Sequence, residues 1–243
     1  MNRIFASGQR LSMTSFKSTI FLLLFLSLFS TLAVSAQDTD FQVWNETTFI
    51  IPFIREKKDG EKPVTKVSLL VFGTLRLGQN RLFPVEKRVG AGLDIRLNKY
   101  FTFTPTYVYR ASEARRGRRE FEHRLRYDFT MEKKWNSFSL KDRHRIEHRI
   151  RNSRSNSVRY RNKLTLKIPI KRDGKELFAP YGSEEIFYDL TDSRFTGNRN
   201  SAGISRKLSP TVSADFYYVF SYSRFSLPKY VHGVGVDLKI TID

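Results

Sequence analysis

RREFEHRLRYDFTMEKKWNSFSLKDRHRIEHRIRNSRSNSVRYRNKLTLKIPIK, residues 118–171, decides the fold. Taken two residues at a time, it separates into two rows. One row is apolar: Phe121, Leu125, Tyr127 and Phe129, then Phe138, Leu140, Ile146 and Ile150, then Val158, Tyr160, Leu164, Leu166, Ile168 and Ile170. The other is charged: Glu122, Arg124, Arg126 and Asp128, then Arg143, Arg145, Glu147, Arg149 and Arg151, then Arg159, Arg161, Lys163 and Lys167. Successive side chains of a β-strand point to opposite faces, so a period of two gives each strand one greasy and one charged face. Three long strands in a row carry this pattern.

Outward from this stretch, the same period recurs. Val89, Ala91, Leu93, Ile95 and Leu97 oppose Arg88, Gly90, Gly92, Asp94 and Arg96; Phe101, Phe103, Pro105, Tyr107 and Tyr109 oppose Thr102, Thr104, Thr106 and Arg110. Further on, Val234, Val236, Leu238, Ile240 and Ile242 oppose Gly233, Gly235, Asp237, Lys239 and Thr241. The segment from Val67 to Leu77 alternates poorly, because Leu70 and Phe72 share a row with Ser68, Thr74 and Arg76. About eleven strand-like segments follow one another, with no long helical pattern between them.

Composition narrows the class. The 243 residues carry 43 Lys+Arg against 24 Asp+Glu, a net charge of +19, and no cysteine. The absence of cysteine excludes disulfide staples and thiolate metal sites. A mean hydropathy of −0.43 excludes a bundle of transmembrane helices, though not a barrel, whose alternating strands average out polar. The N-terminus reads as a separate unit. Arg3, Arg10 and Lys17 precede an apolar run from Thr19 to Val34, and Val34-Ser35-Ala36 supplies the small residues of a cleavage site. Residues 1–36 are therefore expected to be a cleaved secretory signal peptide, leaving 37–243 as a single barrel domain.

Alternation alone does not say which face is inside. Four features favour a membrane barrel, with grease toward lipid and charge toward a lumen, over an exported soluble β-protein. These are the signal peptide, segments of ten to fifteen residues where a tilted membrane strand needs about 9–11, tight turns alternating with longer polar loops, and Tyr and Trp near segment ends. Trp44, Tyr100, Tyr109, Trp135 and Tyr222 are expected to form interfacial girdles. Unpaired N–H and C=O groups are not tolerated in the bilayer core, so the sheet must close. The expected fold is all-β: a single antiparallel up-and-down transmembrane barrel with a polar, basic lumen. Because single-chain bacterial barrels have even strand counts, twelve strands are expected, with ten as the alternative and the missing strand sought between Phe41 and Val89.

The chain also resembles an uncharacterised outer-membrane β-barrel family of Gram-negative bacteria, domain of unknown function 2490. The features that carry the resemblance are Trp44, the laddered strands EHRLRYDF, HRIEHRIR and RYRNKLTLKIP, the PYGSEEIFYD stretch and the following GNRNSAG. One departure is the C-terminus, which ends Ile240-Thr241-Ile242-Asp243 where many such barrels end on an aromatic residue that helps assembly. The resemblance implies fold and location, and no catalytic residue.

The candidate functional feature is the charge ladder: Glu122, Arg124, Arg126, Asp128, Arg143, Arg145, Glu147, Arg149, Arg159, Arg161, Lys163, Glu185 and Arg199, expected to line the lumen. It has two readings. Opposite charges on neighbouring strands can fill a small barrel and plug it, or the basic excess can favour anions along a narrow path. The leading expectation is thus a structural barrel or small passive channel with an anion-favouring lumen. Outer-membrane lipid, lipopolysaccharide (met by the basic Ala111–Glu120 loop), the barrel-assembly machinery and small anions are its expected partners. No cofactor is expected.

Other chemistries weigh less. His144–His148 spells H-x-x-E-H, an inverted zinc-peptidase motif, but on a strand Glu147 points away from both histidines. A lipid-modifying barrel enzyme of lipase or deacylase type would draw on His123, His144, His148 and His232, all on the apolar row. A secreted lipocalin-like carrier is the soluble alternative. Nucleic-acid binding would need basic and stacking aromatic residues on one face, and here they fall on opposite ones.

Overall fold

The computed structural model describes residues 38–57, 63–79, 81–115 and 117–242; the segment read as a signal peptide lies outside them. The described chain is almost entirely β-strand: β1 (Thr39–Glu56), β2 (Val64–Gly78), β3 (Phe83–Arg96), β4 (Phe101–Arg115), β5 (Arg118–Lys134), β6 (Ser139–Arg151), β7 (Ser157–Lys167), β8 (Ile170–Arg172), β9 (Lys175–Asp189), β10 (Arg194–Lys207), β11 (Val212–Ser223) and β12 (Tyr230–Thr241). Each strand pairs antiparallel with the next, except that β7 pairs with β9. The three-residue β8 pairs only with β9 and stands outside the barrel.

The wall closes where β1 meets β12, and this seam is parallel, running from Thr39 opposite Tyr230 to Ile50 opposite Thr241. The barrel therefore has eleven strands rather than twelve or ten, and it is not antiparallel throughout. The geometry follows from the count. In an up-and-down meander an odd number brings first and last strands into the same direction, so closure without a free edge must be parallel. Among the described residues, Phe41 to Val89 holds no extra strand; they are taken up by the 18-residue β1, the 15-residue β2 and the start of β3. The three-residue remnant arises at Pro169, which has no N–H to donate. There β7 stops, and Ile170–Arg172 folds onto β9 through a turn with positive φ at Asp173 and Gly174.

Connections run from two to six residues at one end and from four to seven at the other, so the expected alternation of tight turns with longer loops is absent. The outer wall is apolar: Phe129 is 45% exposed, Ile146 and Leu164 46% each, and Leu125, Tyr127, Val89, Ile204 and Phe216 join them. Near the ends, Trp135 stacks on Phe138 at 4.6 Å and Tyr109 on Phe121 at 6.3 Å. Trp44 belongs to neither girdle. It is 5% exposed, because it shares a row with Asp40, Gln42 and Glu46, whose face of β1 is the inner one.

The poor alternation of β2 has a packing reason. Phe72 points inward, buried, opposite Gly90 of β3. Similarly Tyr217 lies between Gly203 and Gly235 on its two neighbours. A Cβ at Gly90 or Gly235 would meet the Phe72 or Tyr217 ring. These inner glycines let aromatic rings lie flat along the wall.

Candidate functional site: an arginine-lined lumen

Strand register turns the charged rows into pairs. Arg126 of β5 stands opposite Glu147 of β6, which stands opposite Arg159 of β7. Asp128 faces Arg145, and Lys163 faces Glu185, which in turn faces Arg199 of β10. The side chains follow this pairing. Glu147, with no exposed surface, takes Arg159 at 2.5 Å and Arg161 at 2.9 Å, with Arg126 at 3.3 Å and Arg145 at 3.8 Å. Asp128 receives Nε and Nη2 of Arg145, both at 2.5 Å. Glu185 collects Arg143 at 2.5 Å, Arg161 at 2.7 Å and Arg199 at 3.6 Å. Glu122 pairs with Arg124 and with Arg149 at 2.6 Å.

The ladder thus comes together as one inner wall, and it extends beyond the residues read from sequence. Glu86 of β3 is a further hub, pairing with Arg88 and Arg110 and with Arg76 at 3.0 Å. Arg110 reaches on to Glu122 at 3.4 Å, joining the two hubs. Eleven guanidinium groups converge on five carboxylates, Glu86, Glu122, Asp128, Glu147 and Glu185, leaving six positive charges in excess. Charge-assisted contacts of this kind are the strong ones, and burial makes each unpaired member costly.

Two cavities lie within this wall. The central one, of about 250 Å³, is lined by residues from all eleven barrel strands. The other, of about 510 Å³, lies toward the end of the barrel formed by the β6–β7 and β11–β12 turns. Trp44, Arg76, Arg88, Arg161 and Arg199 border both and so partition the lumen. At the partition the Trp44 ring is held between guanidinium groups from both sides of the seam, Arg76 at 3.6 Å and Arg199 at 4.7 Å. Its Nε1–H donates to Gln42 Oε1 at 2.7 Å, and Gln42 Nε2 donates to Asp40 at 2.8 Å. Phe187 of β9, also turned inward, offers its face to Arg161 at 4.9 Å. Arrays of this type attract and hold anions, and guanidinium forks match oxyanion edges in particular.

The histidines lie elsewhere. His123, His144 and His232 sit on the outer wall, hydrogen-bonded to Tyr107 and Tyr160 at 2.6 Å and to Tyr218 at 2.5 Å. His144 also meets Asp142 at 3.1 Å. Glu147, the carboxylate of the H-x-x-E-H string, is inside the barrel while His144 and His148 are outside, so the three share no site.

A family model described as "Protein of unknown function (DUF2490)" matches residues 41–230. No curated protein matches the chain. Among solved structures, the chain is similar to the NanC porin (10% identity, TM-score 0.44, covering 74% of this chain and 86% of that one). It is similar also to LpxR from Salmonella typhimurium (9% identity, TM-score 0.44, covering 74% and 83%).

Proposed function

The chain belongs to the DUF2490 family, for which no activity is described, and on that premise we propose that it is an outer-membrane barrel working as a narrow, anion-favouring channel. Residues 1–36 act as the cleaved export signal in this reading. Three features support insertion in a membrane. The wall has no open edge, its strands (β8 apart) run to 11 residues or more, and its outward row is apolar where a water-facing row would be polar. The solvent-facing Arg118 and Arg119 at the β4–β5 turn suit contact with anionic lipopolysaccharide.

The observation that carries the functional reading is the imbalance around the central cavity, which every barrel strand lines: seven arginines and Lys163 face four carboxylates, Glu46, Asp128, Glu185 and Asp237. A plug built for stability alone gains from matched charges; an excess of four positive charges around the cavity stabilises a passing anion instead. Planar-bilayer recording of the purified protein across a salt gradient tests this. The reading requires small conductance steps with a reversal potential on the anion side; cation selectivity, or a barrel that never conducts, overturns it.

A further inference from the structure

We infer that the central cavity is a binding site for a small, soluble oxyanion of the phosphate or sulfate class, held by Arg126 together with Arg88 and Arg199. The inference rests on the reading of the lumen as open to anions and goes beyond it, from selectivity to a defined site of residence.

Arg126 is 4% exposed, yet its Nε–H and Nη2–H have no hydrogen-bond acceptor in the protein. Glu147 Oε1 is 3.3 Å from Nε but off the N–H line, and Glu147 is already claimed by Arg159 and Arg161. Nε–H and Nη2–H form one edge of the guanidinium, a fork that fits two oxygens of an oxyanion. The neighbouring arginines divide into two kinds. Arg145 and Arg161 place both donors of this edge on a carboxylate: Arg145 on Asp128, Arg161 on Glu185. Arg76, Arg88, Arg143 and Arg199 each retain an Nε–H without an acceptor, and all four line the same cavity as Arg126. The first kind holds the wall together; the second is left with donors to spare.

Positions on the wall sharpen the case. Arg88 on β3, Arg126 on β5 and Arg199 on β10 all line this one cavity, so like charges from opposite sides of the barrel face a single space. The carboxylates lining the cavity accept no hydrogen bond from these donors, although Glu46 attracts Arg88 and Arg126 through its charge. Asp128 and Glu185 are committed as above, Glu46 accepts from Thr74 at 3.0 Å, and Asp237 accepts from Tyr217 at 3.0 Å. Donors arriving from several directions call for an acceptor with oxygens on several sides, which a phosphate or sulfate has. The closed wall separates the cavity from lipid, which selects a free anion over a lipid headgroup.

Trp44 supplies the reporter, because it lines the cavity and is stacked on Arg76 and Arg199. The chain has two tryptophans, and Trp135 is exposed at the β5–β6 turn, so Trp135→Phe leaves Trp44 alone. The full barrel in detergent is titrated with inorganic phosphate against chloride at constant ionic strength. A saturable change in Trp44 emission is expected, with affinity lowered about tenfold or more by Arg126→Met, the scale of one charge-assisted hydrogen bond. Arg172→Met, on the exposed β8 outside the barrel, should leave it unchanged. Should Arg126→Met not fold, Arg126→Lys decides, since it keeps the charge and loses the fork. A flat or non-saturating titration, or Arg126 variants that titrate like the parent, overturns the site. Flat titration with anion-selective conductance sinks the site alone, whereas saturable binding in a barrel without anion selectivity sinks the channel reading alone.

Discussion

Glu147→Gln should be among the most damaging conservative substitutions in this barrel. The side chain keeps its shape and loses its charge, at a position with no exposed surface. Arg159 at 2.5 Å and Arg161 at 2.9 Å lose their counter-ion, as do Arg126 and Arg145 at longer range. Removing one partner of a buried pair costs about 3–5 kcal/mol, most of it the penalty of the charge left behind. Glu132→Gln is the control: its partner Lys134 is 75% exposed, and such pairs contribute about 0–1 kcal/mol. Urea unfolding of the barrel in detergent micelles, followed by the gel-mobility difference between folded and unfolded chain, measures both. The double variant Glu147→Gln/Arg159→Met should recover part of the loss, because one stranded charge goes with it. If Glu147→Gln and Glu132→Gln fall within about 1 kcal/mol of each other, the inner wall is as hydrated as the mouth and the argument from burial fails.

Three further outcomes follow from the geometry. Ile146→Arg, at an exposed position of the outer wall, should lower stability in lipid by about 2–4 kcal/mol if near the bilayer midplane, and refolding titrations into vesicles would register the loss; in a water-facing wall the change would be near zero. Trp44→Ala removes the ring between Arg76 and Arg199 and should raise single-channel conductance while keeping the anion preference, as bilayer recording would show. Gly235→Val sets a side chain against the Tyr217 ring and should cost about 1–3 kcal/mol in the same urea assay.

How much of this was legible in the sequence depends on range. The alternation of residues 118–171 is a local property, and it carried the strands, the two faces and the ladder from Glu122 to Lys163. Which charges meet is a matter of register, so no local pattern marks the hub at Glu86. The clear alternation of the third segment begins at Arg88 and Val89, two residues past it, although β3 continues the same period back to Glu86. A tryptophan near a segment end suggests a girdle, but the parity that Trp44 shares with Asp40, Gln42 and Glu46 points inward. Strand number was the least accessible feature. A parallel seam joining Thr39–Ile50 to Tyr230–Thr241 links the two ends of the chain, and no local pattern announces it.

In the proposed orientation the apolar row faces lipid and the arginines face inward. Because the chain has no cysteine, single substitutions Phe129→Cys, Ile146→Cys and Leu164→Cys each give one defined attachment point for a spin label in vesicles. Relaxation by oxygen dissolved in the bilayer, compared with relaxation by a water-soluble nickel chelate, reads the surroundings of each label. All three should collide strongly with oxygen and weakly with the chelate. Labels that meet the chelate freely, or that meet neither because they are locked in a packed interior, would contradict the orientation from which the rest is argued.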